Sequence, residues 1–114
     1  MNQVKLIGNV GNNVNIREFE KSKLASFSIA TNETFENKNS ESVTNTQWHN
    51  IVAWGNLAEK CEELIEKGKL VSIEGKLQTR NYINKENKKV YITEILAFNV
   101  SPVEVKKSEK VFFL

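Results

Sequence analysis

Alternation of apolar and polar residues with a period of two runs through most of this sequence, and it restricts the fold to one built from strands. In residues 24–31, the apolar residues Ala25, Phe27 and Ile29 alternate with Ser26 and Ser28. Successive side chains of a strand point to opposite faces, so this pattern predicts a strand with one buried face. Further strands are predicted at residues 3–10, 47–54, 70–82 and 90–100, and residues 15–19 are expected to continue the first strand after a bend.

Residues 56–67 are the exception, because their apolar residues recur with a helical period. The apolar stripe consists of Leu57, Cys61, Leu64 and Ile65. This spacing predicts an amphipathic helix. We expect Asn56 to cap its amino end, with Glu59 in the capping-box position, and Gly68 to supply the left-handed residue just past its carboxyl end.

The order of these elements is three strands, one helix and two strands. That order predicts an all-β fold, a five-stranded OB-fold Greek-key barrel with one α-helix between strands 3 and 4. The 114 residues fit one domain, which we place at residues 1–101, followed by a short tail at residues 102–114. Between the second and third strands, residues 32–46 are polar and are predicted to form a long connection, of a kind that is usually functional or disordered.

The composition argues against catalysis and against a bound metal or cofactor. The chain contains no Asp, a single His and a single Cys, and it has no glycine-rich phosphate loop. Magnesium is held by several oxygen ligands, among them carboxylates, and a Cys-cluster zinc site needs several thiols. We therefore expect a protein that is not an enzyme. Its first residues resemble neither a signal peptide nor a transit peptide, which predicts a cytoplasmic location.

Positive charge is concentrated in one segment, although the whole chain carries only +2. Residues 69–89 hold six Lys and Arg against two Glu, a net charge of +4. Residues 57–68 hold four Glu against two Lys, a net charge of −2. A local excess of positive charge attracts phosphate groups, so residues 69–89 are predicted to form a phosphate-binding stripe.

Aromatic residues fall where the alternation leaves them exposed. One face of the strand at residues 47–54 carries Trp48, Asn50, Val52 and Trp54, and the other carries His49, Ile51 and Ala53, which resembles a core. Tyr82 shares a face with Arg80 and Lys76, and Phe35 lies in the polar stretch. This arrangement predicts a platform for stacking nucleobases, all of which have a π-face. The alternative is that the tryptophans fill the core or a subunit interface.

Several blocks of the sequence resemble bacterial single-stranded DNA-binding proteins, from residue 3 to about residue 100. The blocks are residues 4–11 (VKLIGNVG), 25–31 (ASFSIAT), 46–58 (TQWHNIVAWGNLA), 67–68 (KG) and 73–82 (IEGKLQTRNY). The resemblance implies base stacking at Phe35, Trp48, Trp54 and Tyr82. It also implies a phosphate contact at Arg80, with further contacts expected from Lys67, Lys76, Asn50 and Asn56; the two Asn stand where family members often have Lys or Arg.

The resemblance also implies a function and an assembly. We expect the protein to bind and protect single-stranded DNA, largely without sequence preference, in replication, recombination and repair. A homotetramer associated with the nucleoid is expected, with Val4, Leu6 and His49 at subunit contacts. Two alternatives remain. One is a related primosomal protein that mainly binds replication proteins, which would not need all four aromatic positions. The other is a nuclease, which the missing Asp residues disfavour.

The tail departs from the family, whose members typically end in an acidic tip that recruits replication and repair proteins. Residues 101–114 carry two Glu against three Lys and end in the apolar sequence VFFL. Recruitment of replication and repair proteins through such a tip is therefore in doubt. Because Val103, Val105, Val111 and Phe113 have the same parity, we expect the tail to pack on the same oligomer.

Overall fold

The structure is a computed structural model that describes residues 1–104, and strands make up most of that part of the chain. Its elements in chain order are β1 (Val4–Val10), β2 (Asn15–Phe19), β3 (Ser22–Glu36), β4 (Ser42–Trp54), α1 (Asn56–Leu64), β5 (Leu70–Ile83) and β6 (Lys89–Pro102). The five predicted strands and the one predicted helix are all present. Their order along the chain is also the predicted one.

The strands form a closed barrel. The sheet order is β1-β5-β6-β4-β3-β2, and a further pairing of β1 with β3 closes it. Both β1 and β2 pair with β3, at residues 29–30 and 22–26 of that strand respectively. They are therefore two halves of one interrupted strand, as the bend after residue 10 predicted. Counted in this way the barrel has five strands, with α1 between the third and the fourth.

The core of the barrel is formed by the residues that the alternation placed inside. Ala25, Phe27 and Ile29 of β3 are buried, as are Ile51 and Ala53 of β4. The helix adds Ala58 and Cys61 to the same cluster, and Ile65 follows directly after it. Burial of one face in the barrel portions of β3 and β4 explains why the period-two pattern located these elements.

The ends of the helix differ from the prediction. Residue 55, not Asn56, is the N-cap: Gly55 has φ 64°, makes no side-chain cap bond, and accepts the N–H of Glu59 through its carbonyl oxygen. The helix ends at Leu64, because Ile65 turns to extended backbone and enters the core. Gly68 does have a positive φ of 91°, but it lies in the following turn.

The prediction of a long connection at residues 32–46 was wrong. β3 and β4 remain paired out to Glu36 and Ser42, and only residues 37–41 form the turn. Polar side chains stabilise this arm: the hydroxyls of Thr34 and Thr44 lie 3.3 Å apart across the strands. In the turn, the Asn37 side chain accepts two backbone N–H groups. The polar composition thus reflects an arm that is solvated on both faces.

A second arm extends from β5 and β6, whose pairing continues to Ile83 and Lys89. Its turn at residues 84–88 is the predicted hairpin tip, and the side chain of Asn84 accepts two backbone N–H groups there. Beyond β6, the N–H of Val103 donates to the carbonyl of Leu70. The remaining residues on which the tail prediction rests, Val105, Val111 and Phe113, lie outside the described part of the chain.

Candidate nucleic-acid interface

The outer face of β4 carries both tryptophans, as the alternation predicted. Trp48 is 62% exposed and Trp54 is 46% exposed. Asn50 between them is exposed, whereas Val52 is buried although it has the same parity. The alternative in which the tryptophans fill the core of this chain is therefore excluded.

A groove runs along this face, between β4 and the inner side of the second arm. One cavity of about 310 Å³ has Asn50 and Ser28 in its wall, and a second of about 200 Å³ has Trp54. Val52, Arg80 and Glu94 line both cavities. We call this combined surface the outer groove. It is lined by residues of β2, β3, β4, β5 and β6 and by Asn12 of the turn after β1.

Arg80 is held in the outer groove by a buried carboxylate. Its Nε donates to Oε1 of Glu94 over 2.9 Å, and Nε2 of Gln78 donates to Oε2 of the same residue over 2.8 Å. Glu94 is only 4% exposed, whereas the Arg80 side chain is more than half exposed. A buried carboxylate needs such donors to offset its lost hydration. The ion pair thereby fixes the position of the one Arg in the groove wall of β5.

The ring of Trp48 lies over a glycine. A Cβ built on Gly11 would come within 2.2 Å of the Trp48 ring, so a side chain at this position would displace the ring from where it lies. Gly11 is tied to β3 by its N–H, which donates to the Ser28 carbonyl, and Asn12 accepts the hydroxyl of Ser28. The indole ring of Trp48 therefore packs against the turn that follows β1.

The other two predicted stacking residues lie on the arms and not in the outer groove. Phe35 is exposed on the first arm, opposite Val43, and Tyr82 is exposed on the second arm, opposite Val90. The first arm thus carries the exposed ring of Phe35, and the second carries the rings of Tyr82 and, on its opposite face, Tyr91.

The predicted polar and subunit contacts are spread more widely. Lys76 is exposed on β5, Lys67 is exposed in the turn after α1, and Asn56 lines a separate cavity beside Lys23. His49 lies on the opposite face of β4 from the tryptophans, where its Nε2 is 2.8 Å from the Thr31 hydroxyl. Val4 and Leu6 are partly buried against the core.

The sequence analysis did not single out Glu94, Gly11 or two residues of β2. Glu94 occupies an outward position in an ordinary alternating strand, so only the cross-strand register reveals its partners. Arg17 and Phe19 share the outer face of β2, and the ring centroid of Phe19 lies 5.8 Å from that of Trp54. Their parity with one another was visible in the sequence, but their proximity to β4 was not.

The described residues offer no metal site and no activated nucleophile. Within residues 1–104 no group of three or more His, Cys or acidic side chains is placed to hold a metal ion. Burial raises the pKa of the Cys61 thiol to about 11, so that the thiol stays protonated at neutral pH. No helix in this same range is long and apolar enough to cross a membrane.

A closed β-barrel with one helix, open aromatic rings and an arginine-lined groove defines an OB-fold protein that binds single-stranded nucleic acid. Comparison with known proteins identifies the family. The Single-strand binding protein family matches residues 1–103, and the chain belongs to that family.

Relatives and solved structures agree with this assignment. "Single-stranded DNA-binding protein 1" of Chlorobaculum tepidum is 40% identical over 110 residues, which cover 95% of this chain and 68% of that protein. "Single-stranded DNA-binding protein 1" of Staphylococcus aureus strain Mu50 is 35% identical over 109 residues, covering 95% and 69%. The Plasmodium falciparum SSB in complex with ssDNA superposes with a TM-score of 0.83 at 31% identity, covering 91% of this chain and 96% of that one.

Proposed function

We propose that this protein, a non-enzymatic member of the family, binds single-stranded DNA along the outer groove and its two arms. Bases stack on Trp48 and Trp54 of β4, and on Phe35 and Tyr82 of the arms. The observation that carries the proposal is the exposure of both tryptophans on one face of β4, opposite Arg80. Exposed aromatic rings present the π-faces on which bases stack.

The phosphate backbone is held by cations and polar groups around these rings. Arg80 contacts it within the groove, Lys76 and Lys67 contact it from the flanks, and Asn50 and Asn56 contribute hydrogen bonds. Contacts to phosphates and to π-faces carry no sequence information. Binding is therefore largely independent of base sequence, which suits a protein that coats and protects DNA strands during replication, recombination and repair.

The barrel at residues 1–101 performs this binding in the cytoplasm as part of a homotetramer, and residues 102–114 form a tail. Support for the assembly comes from β1. Its residues 4–9 pair with β5 on one side, and its pairing with β3 begins only at Asn9. The free edge beside Val4 and Leu6 suits pairing with a second copy across a two-fold axis, with His49 nearby. Light scattering at micromolar concentration tests this assembly.

Replication and repair proteins are a further class of partner, although residues 101–114 carry three Lys against two Glu. A primosomal role that rests mainly on protein contacts would not require four open aromatic rings. Those rings favour the binding of DNA as the main function.

The stacking proposal is tested with alanine variants of the tryptophans. Trp48→Ala and Trp54→Ala should each weaken binding of a fluorescein-labelled oligo-dT by about 1–3 kcal/mol, the value of one base stack. Tyr91→Ala is the matched control, because Tyr91 is an exposed aromatic on the opposite face of the second arm from Tyr82. Fluorescence anisotropy measures the affinity and circular dichroism confirms the fold. Unchanged affinity in a folded Trp54→Ala variant would show that Trp54 does not contribute to DNA binding.

A further inference from the structure

A further aromatic ring stands beside Trp54, at the end of a strand that has no assigned role. Phe19 is the last residue of β2 and is 51% exposed. Its ring centroid is 5.8 Å from that of Trp54, and the two ring planes are inclined by 32°. Rings at this separation are in contact and form one continuous aromatic surface. Since Trp54 is itself nearly half exposed, the surface as a whole remains open to a ligand.

Strand register shows that β2 continues the outer groove. Arg17 is paired with Leu24, and Leu24 is paired with Trp54. Residues directly opposite one another in antiparallel strands project to the same face. Arg17 also lines the cavity of about 200 Å³ that contains Trp54 and Arg80. Because Phe19 is two residues further along the strand, it has the same orientation as Arg17.

The surroundings of Phe19 do not fit a purely structural side chain. A core phenylalanine would be covered, as Phe27 is, whereas Phe19 is half open and borders a cavity of about 320 Å³. Asn56, which is proposed above to contact DNA, lines the same cavity. A stacking ring therefore has a cation on one side and a hydrogen-bonding amide on the other, the combination that binds a nucleotide of a single strand.

We propose that Phe19 and Arg17 form an additional nucleotide subsite, in which one base stacks on the Phe19 ring next to the base on Trp54. Arg17 contacts a neighbouring phosphate. This inference rests on the proposed function, because it extends the DNA path from β4 across β3 to β2. It adds one base to the length of strand that each subunit holds.

Substitutions at position 19 separate stacking from packing. Phe19→Ala should lower the affinity for a long oligo-dT about fivefold to a hundredfold, as the loss of one stacked base does. Phe19→Trp should restore it. Phe19→Leu keeps an apolar contact with Trp54 but has no ring face, so it should remain as weak as Phe19→Ala. Wild-type affinity in Phe19→Leu would show that the ring only supports Trp54, and the proposal would be wrong.

A reporter variant tests the subsite directly. In Phe19→Trp combined with Trp48→Phe and Trp54→Phe, the tryptophan at position 19 is the sole one, and every ring position remains aromatic. Oligo-dT should quench its emission. Saturating binding of a labelled oligo-dT without quenching would overturn the subsite while the proposed function stands. A wild-type protein that fails to bind the same labelled oligonucleotide would instead overturn the proposed function.

Arg17→Ala provides an independent measure. Removal of one phosphate contact should reduce the slope of log affinity against log salt concentration by about 1. Lys60→Ala is a matched control, because Lys60 is exposed on α1 and lines neither the outer groove nor the cavity beside Phe19. An unchanged slope in Arg17→Ala would show that Arg17 makes no phosphate contact.

Discussion

At the scale of single residues, the buried carboxylate of Glu94 fixes the position of the exposed Arg80 side chain. This carboxylate accepts hydrogen bonds from Gln78 and Arg80 and is almost completely covered. Without these donors, the Glu94 carboxylate would be a buried charge with no partner. Breaking a fully buried ion pair costs several kcal/mol of stability. The cost is smaller here because the Arg80 side chain is about half exposed and its charge is screened by solvent. Arg80 therefore combines a role in stability with its proposed role in phosphate binding.

Two substitutions should separate these roles. Arg80→Ala should lower the melting temperature and also weaken binding to dT and dC oligomers about equally, with a salt slope reduced by about 1. Adding Glu94→Gln removes the buried charge, so the double variant should regain much of the melting temperature but none of the DNA affinity. Differential scanning fluorimetry and anisotropy provide the two readouts. A double variant that melts as low as Arg80→Ala would show that the ion pair does not determine the stability at this site.

Cys61 makes a prediction about pH. Its thiol has a pKa near 11 in the folded protein, raised from an ordinary value of 9.0 by burial, so the folded state binds this proton more tightly than the unfolded state. The resulting stabilisation is complete below pH 9 and is lost as the pH rises towards 11, by about 1.4 kcal/mol per pH unit at most. Cys61→Ala should therefore show a shallower loss of unfolding free energy over this range. Equal losses in both proteins, measured with urea, would contradict the prediction.

At the scale of elements, the sequence pattern located every strand that has one buried face and misjudged the segment that has none. The alternation in residues 24–31 and 47–54 arises because one face of each strand is exposed to solvent and the other is buried. Residues 32–36 and 42–46 are exposed to solvent on both faces. Their sequence therefore shows no alternation of apolar and polar residues, even though they form strands. The helix boundary was misplaced for a related reason: Ile65 fits an apolar helical stripe, but it is needed in the core as extended chain.

The candidate site was predictable only within each strand. Trp48, Asn50 and Trp54 share a face by parity alone, and the structure agrees. Contacts between strands, such as Phe19 with Trp54 or Arg80 with Glu94, depend on which strands are neighbours and how they are aligned, which the pattern of a single strand does not give. Departures of this kind are expected where function requires exposed rings and a buried charge.

The pairing of β5 with β6 contains an irregularity that gives a prediction at this scale. The register shifts between Glu74 and Gly75, where β6 advances from Asn99 to Ala97. A Cβ on Gly75 would lie 2.2 Å from the carbonyl oxygen of Leu96, which is backbone and cannot simply rotate away. Gly75→Ala should therefore destabilise the barrel by about 1–3 kcal/mol.

Urea unfolding measures this effect, with Ser72→Ala on the same strand as the control. Strand β5 also carries Arg80 and Tyr82, so a displaced β5 should weaken DNA binding as well. A Gly75→Ala protein as stable as the control would show that the close approach at the bulge is relaxed in solution.

At the scale of the whole molecule, shape contributes more than charge. The molecule measures 50 Å in its longest direction, against 33 and 29 Å in the others, and the arms carry exposed aromatic rings at Phe35, Tyr82 and Tyr91. The net charge is only +2, so long-range attraction of DNA is weak. We therefore expect affinity to come mainly from stacked bases and a few local phosphate contacts, with a modest dependence on salt.

Titration of the intrinsic tryptophan fluorescence with an unstructured oligo-dT, at two salt concentrations, tests the stacking account most directly. Trp48 and Trp54 are the only tryptophans in the chain, so the emission reports on the outer face of β4. We expect strong, saturable quenching, a modest shift to weaker binding at the higher salt concentration, and little quenching by a duplex of the same length. Emission that stays unchanged while a labelled oligo-dT binds would show that DNA lies elsewhere on the protein, and would contradict the account.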